Sequence, residues 1–359
     1  MVQAVATCSV RNSPPGSAQA ALLARVNGVS ADRVSAALLD KTLVEVHGPR
    51  MAAALVPRED LAVFTVGCID ADDASLRATL GEQTYRRLAG SGIRPSEALT
   101  RVVDAARIEL AGGARARGDL SAAITARLPE SMSLWCDRCG SRHVDESLFL
   151  VPGAVGVYCI APRSAREVWY VRTDEWLGAE APAVGSAAAL EAGRDLLRRF
   201  LRCYGPATPH DFADWTRTGV AAARQRFTDL AAELQEVTWD GAKGSILRTD
   251  VDELRGARPP VAVRLLPPND PYLLGRDRAT LVPEPARRKV VWPPLGVPGT
   301  VVVDGEVVAI WRAQRKSSTL QVQVTFFDRP IAEAANLIEE EAHLLAVLRS
   351  CHTAEVTFH

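Results

Sequence analysis

The chain has no apolar run approaching the ~20 residues that a membrane span needs, and no short apolar stretch behind a basic start of the kind that marks a secretory leader. A membrane anchor and export are therefore not expected. The seven cysteines are an odd number, scattered from Cys8 to Cys351. They fit reduced cytoplasmic thiols better than a disulfide framework. An excess of positive charge is also missing. The formal net charge is −1 and the isoelectric point about 6.6. That argues against a protein that coats nucleic acid by bulk charge, while leaving room for a local basic face. What is present is ordinary globular material: 359 residues, 47% hydrophobic and 24% charged, enough for two or three domains with real cores.

The stretch from Pro95 to Val171 carries the clearest pattern. Leu99, Val102, Val103, Ala106 and Leu110 recur at the spacing of a one-faced helix, which Gly112 and Gly113 end. Asp119 stands where an N-cap belongs, ahead of Leu120, Ile124 and Leu128. A third helix is expected around Glu146–Leu150. Two strands follow, 155–160 and 167–171, with Pro162, Arg163 and Arg166 at their tip. Three helices and a hairpin are the order of a winged helix-turn-helix, a unit that places a helix in a nucleic-acid groove.

The flanks repeat the theme. Ser13-Pro14-Pro15-Gly16 is a rigid turn into a helix at 18–26, and a second helix runs over 30–39 with Ser30 as its cap. Residues 43–46 and 53–56 read as two short strands, and Pro57-Arg58-Glu59-Asp60 opens another helix. Over residues 1–70, six basic side chains balance six acidic ones. A polar helical connector fills 71–94, and a Pro/Gly/Ala-rich linker fills 174–186. Beyond it, Leu196, Leu197, Phe200 and Leu201 mark an amphipathic helix. Thr208-Pro209 caps a second helix, Phe227 and Leu230 lie on a third, and strands at 237–239 and 245–248 flank a turn over 240–244. The last third changes to strands at 261–266, 300–303, 306–311 and 319–326, closed by a helix over 331–348. Residues 261–329 carry ten basic and six acidic side chains. The expected fold class is α+β: tandem winged-helix units with a C-terminal β-barrel-like domain. The boundaries fall at 1–94, 95–178, 187–255 and 256–359.

Four blocks in this order carry a resemblance: SPPGSAQAALLARVNG from Ser13, GPATPHDFADWT from Gly205, RLLPPNDPYLLGRDR from Arg264 and PGTVVVDGEVVAIWR from Pro298. Together they resemble the tandem winged-helix family that includes the AlkZ/YcaQ-type DNA glycosylases, over nearly the whole chain. The resemblance implies a DNA-repair protein acting on alkylated bases or interstrand crosslinks. It implies no required cofactor, and the chain is expected to work as a cytoplasmic monomer, nucleoid-associated when on double-stranded DNA. It also implies a long helix ahead of the N-terminal turn, so the first unit is expected to be shortened or truncated here.

In that family a Gln–aliphatic–Gln or Gln–aliphatic–Asp motif precedes the turn and positions a water against the sugar C1′ while the base departs. Aligned on the turn, this chain has Arg11-Asn12-Ser13. Asn12 and Ser13 are then the candidate catalytic residues. Arg11 is a permanent cation without an acceptor atom, so it is a candidate DNA contact and no base. Further candidate phosphate contacts are Arg115, Arg117, Arg163 and Arg166 around the central unit, and Arg276, Arg287, Arg288, Lys289 and Arg312 in the last third. For each of them a solvated surface is the competing reading. Asp270, before a Pro, reads as a turn former or a cleft residue, and Trp311 as core or a stacking face.

WCDRCGSRHV holds Cys136-x-x-Cys139-x-x-x-His143, a spacing that suits a zinc knuckle. Cys159 is the candidate fourth ligand, and an unmetallated turn is the alternative. Three functions stay open at this point: a DNA-binding repair protein without base excision, an active monofunctional glycosylase, and a winged-helix regulator or scaffold.

Overall fold

The computed structural model describes residues 1–162, 167–239, 241–258, 260–275, 277–329 and 332–359. Arg163, Arg166 and Arg276 lie outside these residues. The chain divides into two compact units: residues 1–37 with 252–359, and residues 38–251. No helix among the described residues is long and apolar enough to cross a membrane.

The continuous unit, 38–251, is organised on a sheet. Strands Leu43–His47 and Ala53–Pro57 pair antiparallel, with Leu43 opposite Pro57. Glu45 of the first faces Ile160 of strand Tyr158–Ile160. That strand pairs with Trp169–Arg172, which pairs in turn with the two residues Arg115–Ala116. The hairpins expected for the first and central units are thus joined in one sheet. Helices Pro95–Glu109, Arg117–Arg127 and Glu146–Ala154 accompany it in the expected order. Val102, Ala106 and Leu110 are buried, as the spacing predicts, while Leu99 and Val103 are half-buried and Ala98 takes an inner position instead. Asp119 is not the cap. The helix begins at Arg117 after Ala116, and Asp119 lies in its first turn.

Between the second and third of these helices sits an additional hairpin, Ser133–Cys136 with Ser141–Val144. Asp145 then caps the third helix, accepting from the backbone N–H of Ser147 at 2.9 Å. Its carboxylate also receives Arg87 at 2.5 Å and Thr84 at 3.1 Å. The linker after this region opens with a helical turn, Thr173–Leu177.

The last part of this unit follows the sequence closely. Helix Ala187–Tyr204 buries Leu196, Leu197, Phe200 and Leu201. Thr208 and Asp211 form a reciprocal capping box at the start of Pro209–Thr216, with Pro at the first turn. Phe212 packs edge-on against Phe200 at 5.3 Å. Helix Val220–Asp229 precedes the hairpin Leu234–Trp239 and Ala242–Leu247. Its strands are longer and its turn shorter than expected, because Ala242, Lys243 and Gly244 pair with Trp239, Thr238 and Val237.

The discontinuous unit is built on a five-stranded sheet in the order Val263–Leu266, Gly299–Val303, Glu306–Lys316, Thr319–Phe326, Thr353–Phe358. The first four strands run antiparallel. The last is parallel to its neighbour, with Thr353 opposite Thr319. A parallel pair needs a crossover, and helix Ala332–Leu348 supplies it. The sheet stays open, with its first and last strands as edges, so the barrel-like expectation is corrected. Leu320, Val322, Val324 and Phe326 alternate inward to meet Ala334, Ile338, Ala342 and Leu345 of the helix. Ala20, on the N-terminal helix Ser17–Leu23, joins the same core. Helix Val2–Thr7 and the two-residue strand Val10–Arg11 precede helix Ser17–Leu23.

One buried group, His47, makes the core of the continuous unit pH-sensitive. His47 is buried, 5.9 Å from the ring centres of both Tyr158 and Tyr170. Its Nδ1 lies 3.2 Å from the carbonyl of Met51, and its Nε2 has no hydrogen-bond partner among the described residues. Burial pushes its pKa from 6.5 down to about 4. The unfolded chain therefore takes up this proton first as pH falls. The neutral form's contribution is intact above 6.5 and is lost progressively between 6.5 and about 4, a change of roughly 3 kcal/mol. His47→Phe is expected to flatten urea-denaturation stability across that window. An unchanged slope would assign the acid sensitivity elsewhere.

Candidate nucleic-acid interface

Residues 10–17 form a tightly bonded turn. Asn12 is buried, and its Oδ1 accepts from the backbone N–H groups of Gly16 at 2.9 Å and Ala18 at 3.4 Å. The hydroxyl of Ser17 donates to the carbonyls of Pro14 at 2.7 Å and Arg11 at 3.1 Å. The carbonyl of Ser13 accepts from the Asn269 amide at 2.9 Å. An amide oxygen has two acceptor sites, and the Asn12 oxygen commits both to holding the start of helix Ser17–Leu23.

That helix ends beside a buried ion pair. Arg25 reaches Asp270 through two nitrogens, at 2.5 and 2.8 Å, and its own helix carbonyl at Ala21 at 2.8 Å. The Asp270 side chain is fully buried, and it also caps the short helix Pro271–Leu274 by accepting from the Tyr272 N–H at 2.9 Å. Asp270 is therefore a turn former with a partner.

Within the same unit a cleft of about 620 Å3 opens between Pro14–Ser17, Gln19, Pro298–Gly299 and Trp311–Ala313, with Arg349 on its edge. Trp311 is core, as its strand position suggests. Its indole N–H donates to the carbonyl of Leu266 at 2.9 Å. Gly299 lies so close to the ring that a Cβ there would stand 2.2 Å from Trp311 Cε2. The Arg349 guanidinium sits 5.8 Å from the centre of the Trp311 ring. Arg312 donates to the carbonyl of Gly296 at 2.8 Å. Neither arginine has a carboxylate partner among the described residues, and no carboxylate lines the cleft. Sequence reading missed two of these groups. Arg349 directly follows the closing helix Ala332–Leu348, where nothing in the sequence marks a cleft. Gln19 sits in an alanine-rich helix, yet its buried Oε1 has no hydrogen-bond partner among the described residues.

The other candidates fall into two groups. Arg115 pairs with Glu109 at 3.2 Å, Arg117 with Glu146 at 2.6 Å, and Arg287 with Asp328 at 2.9 Å and Glu284 at 2.5 Å. A phosphate would have to compete with those carboxylates. Arg288 and Lys289, on helix Pro285–Val291, have no ion-pair partner among the described residues.

Of the four candidate metal ligands, three come together. The ligand atoms of Cys136, Cys139 and His143 all lie within 4.8 Å of one another on the additional hairpin. Backbone N–H donation from Cys139 holds the Cys136 thiol below its ordinary value, and the hydrogen bond to Cys136 raises the Cys139 thiol. Cys159 does not join them. It is buried in the sheet with its sulfur 3.2 Å from the Thr173 hydroxyl, and burial pushes its thiol up to about 12.

A profile of the family described as "DNA glycosylase AlkZ-like" matches residues 6–348. The chain belongs to the AlkZ-like DNA glycosylase family. An "Interstrand DNA cross-link repair glycosylase" of Streptomyces sahachiroi is 32% identical over 163 residues, 44% of this chain and 43% of the relative. The chain thus aligns with less than half the length of that curated relative. The solved structure of Streptomyces sahachiroi DNA glycosylase AlkZ matches 100% of this chain and 93% of its own, with a TM-score of 0.77 at 22% identity. The mixed α+β fold is accordingly that of AlkZ.

In this AlkZ-like chain the Asp270 pair fastens the N-terminal turn to the C-terminal sheet. Asp270→Asn keeps an acceptor for the Tyr272 N–H and removes the charge that faces Arg25. It is expected to lower the stability to urea by about 2–3 kcal/mol. A variant as stable as the parent would show that the pair contributes nothing net.

Proposed function

We propose that this AlkZ-like chain grips double-stranded DNA, alkylated or crosslinked, as a repair-family protein, and that Arg11-Asn12-Ser13 does not excise bases. One observation carries the reading. The carboxylate-free cleft beside the N-terminal turn presents Arg312 and Arg349, while Asn12 spends its acceptor oxygen on backbone N–H groups. Hydrolysis of an N-glycosidic bond needs an acceptor to hold and polarise water. A fixed cation beside the sugar opposes the positive charge that develops there. Arg11 and Asn12 therefore fit phosphate contact and turn geometry better than catalysis.

Residues 95–172 and 187–247 have the element order of winged helices, and we read them as such, with the strands 158–172 and 234–247 as the wings. Arg288 and Lys289 are further phosphate contacts on this reading. A second reading rests on Gln19, whose unpartnered Oε1 on the cleft wall could hold the water in place of Asn12 and make the chain an active glycosylase.

Fluorescence anisotropy on a duplex carrying 7-methylguanine, with single-turnover base release measured on the same duplex, separates the readings. Binding is expected to weaken linearly in log–log salt, and Arg312→Ala or Arg349→Ala to reduce the slope by about 0.9 each. No base release is expected above the buffer control. Release that Gln19→Ala abolishes establishes the second reading, and release that Asn12→Ala abolishes overturns the assignment of Asn12. Absence of any salt-dependent binding removes DNA as the partner.

A further inference from the structure

The hairpin Ser133–Cys136 and Ser141–Val144 is firmly rooted at one end and unsupported at the other. At its base Ser133 and Val144 are buried, Val144 N–H donates to the Thr125 hydroxyl at 2.7 Å, and Asp145 N–H donates to the carbonyl of Met132 at 3.0 Å. Outward from there Leu134 and Trp135 are exposed and make no core. Beyond that buried base, a two-stranded ribbon of four residue pairs is marginal in water by itself.

Its tip is nevertheless shaped. The N–H groups of Cys139 and Gly140 both reach the carbonyl of Cys136, at 3.2 and 2.9 Å. Gly140 has φ of +61°, a conformation that costs glycine little and other residues more. This turn brings the second cysteine back toward the first. The two-residue offset from the tip sets His143, on the returning strand opposite Leu134, within reach of both sulfurs. A disulfide would use the two cysteines and leave the imidazole without a role. Two thiolates and a neutral imidazole on one face are the donor set of zinc.

We propose that Cys136, Cys139 and His143 bind one Zn2+ and that the ion locks the tip of this hairpin. Among the described residues no fourth Cys, His, Asp or Glu joins the group, so water completes the tetrahedron. On binding, the two thiols release their protons to solvent and no electron is transferred. The ion cross-links the two strands where side-chain packing does not, and it fixes Trp135 in its exposed position next to the ligand Cys136.

The test uses the full chain purified under reductant without chelator. One zinc per chain is expected by elemental analysis. After chelation, titration with Co2+ should give a thiolate-to-cobalt charge-transfer band that saturates at one equivalent. The band should vanish in the Cys136→Ser/Cys139→Ser double variant, lose intensity or affinity in His143→Asn, and persist in Cys203→Ser. Far-ultraviolet circular dichroism checks the fold of each. Should the double variant not fold, a mercurial titration of the parent chain substitutes, with zinc release expected as two thiols react. Chelation should also speed amide exchange in 133–144 and leave the neighbouring helices unchanged. No band, a band that survives the double variant, or a Cys136–Cys139 disulfide in the reduced preparation would overturn the proposal.

Discussion

Arg25 and Asp270 are 245 positions apart in sequence and share two hydrogen bonds. The pair is the polar fastening of the discontinuous unit. The Asp270 carboxylate is fully buried, and a bidentate guanidinium and a helix N-terminal N–H satisfy its oxygens. Around it, Ala20 packs into the core of the C-terminal sheet, Arg264 donates to the carbonyl of Ala24 at 3.0 Å, and Asn269 donates to the carbonyl of Ser13. The position of the N-terminal turn, and of the cleft beside it, follows from these contacts. Residues near the start of the chain are placed by residues near its end.

The same logic accounts for Asn12. A turn entering a helix leaves unsatisfied N–H groups, and a short amide side chain just upstream satisfies them well. Asn12 does this for Gly16 and Ala18. An oxygen used in that way is preorganised for the fold and not for water. The electrostatics of the cleft point the same way. Its cations are set against the face of an indole and a backbone carbonyl, so their charge is oriented without being neutralised. Such charge favours an anion over a cation on the cleft wall.

What was legible in the sequence was local. Thr208-Pro209 with Asp211 declares a helix start by chemistry confined to four residues, and the structure forms it there. The alternation Leu320, Val322, Val324, Phe326 declares a strand with one buried face. What was not legible depends on distant partners. Strand Thr353–Phe358 is short and follows a helix, and it becomes a strand by pairing parallel to Thr319–Phe326. The sheet's openness depends on which strands end as edges, a property that no single strand encodes. The extra hairpin has too few buried positions to show a period of two. Three of the four cysteine–histidine candidates come together because their spacing is local. Cys159 lies buried in the sheet away from them, and from sequence alone a buried strand thiol cannot be told from a ligand. Arg349 and Gln19 carried no signal, since nothing around them in sequence marks a cleft wall.

The split of one unit into residues 1–37 and 252–359 has a temporal side. On the ribosome, domains generally fold as units as they are completed. Residues 38–251 can close their sheet and cores while the rest is still being made. The helix Ser17–Leu23 and the turn before it have emerged by then, but the sheet that receives Ala20 and the carboxylate that receives Arg25 have not. Until residues 252–359 are made, this alanine- and leucine-rich helix lacks the core that receives it. A chain that stalls late in synthesis would therefore carry a finished inner unit and an exposed apolar helix at its start. It is this leading segment, far from the stall itself, that chaperones and proteases would then meet.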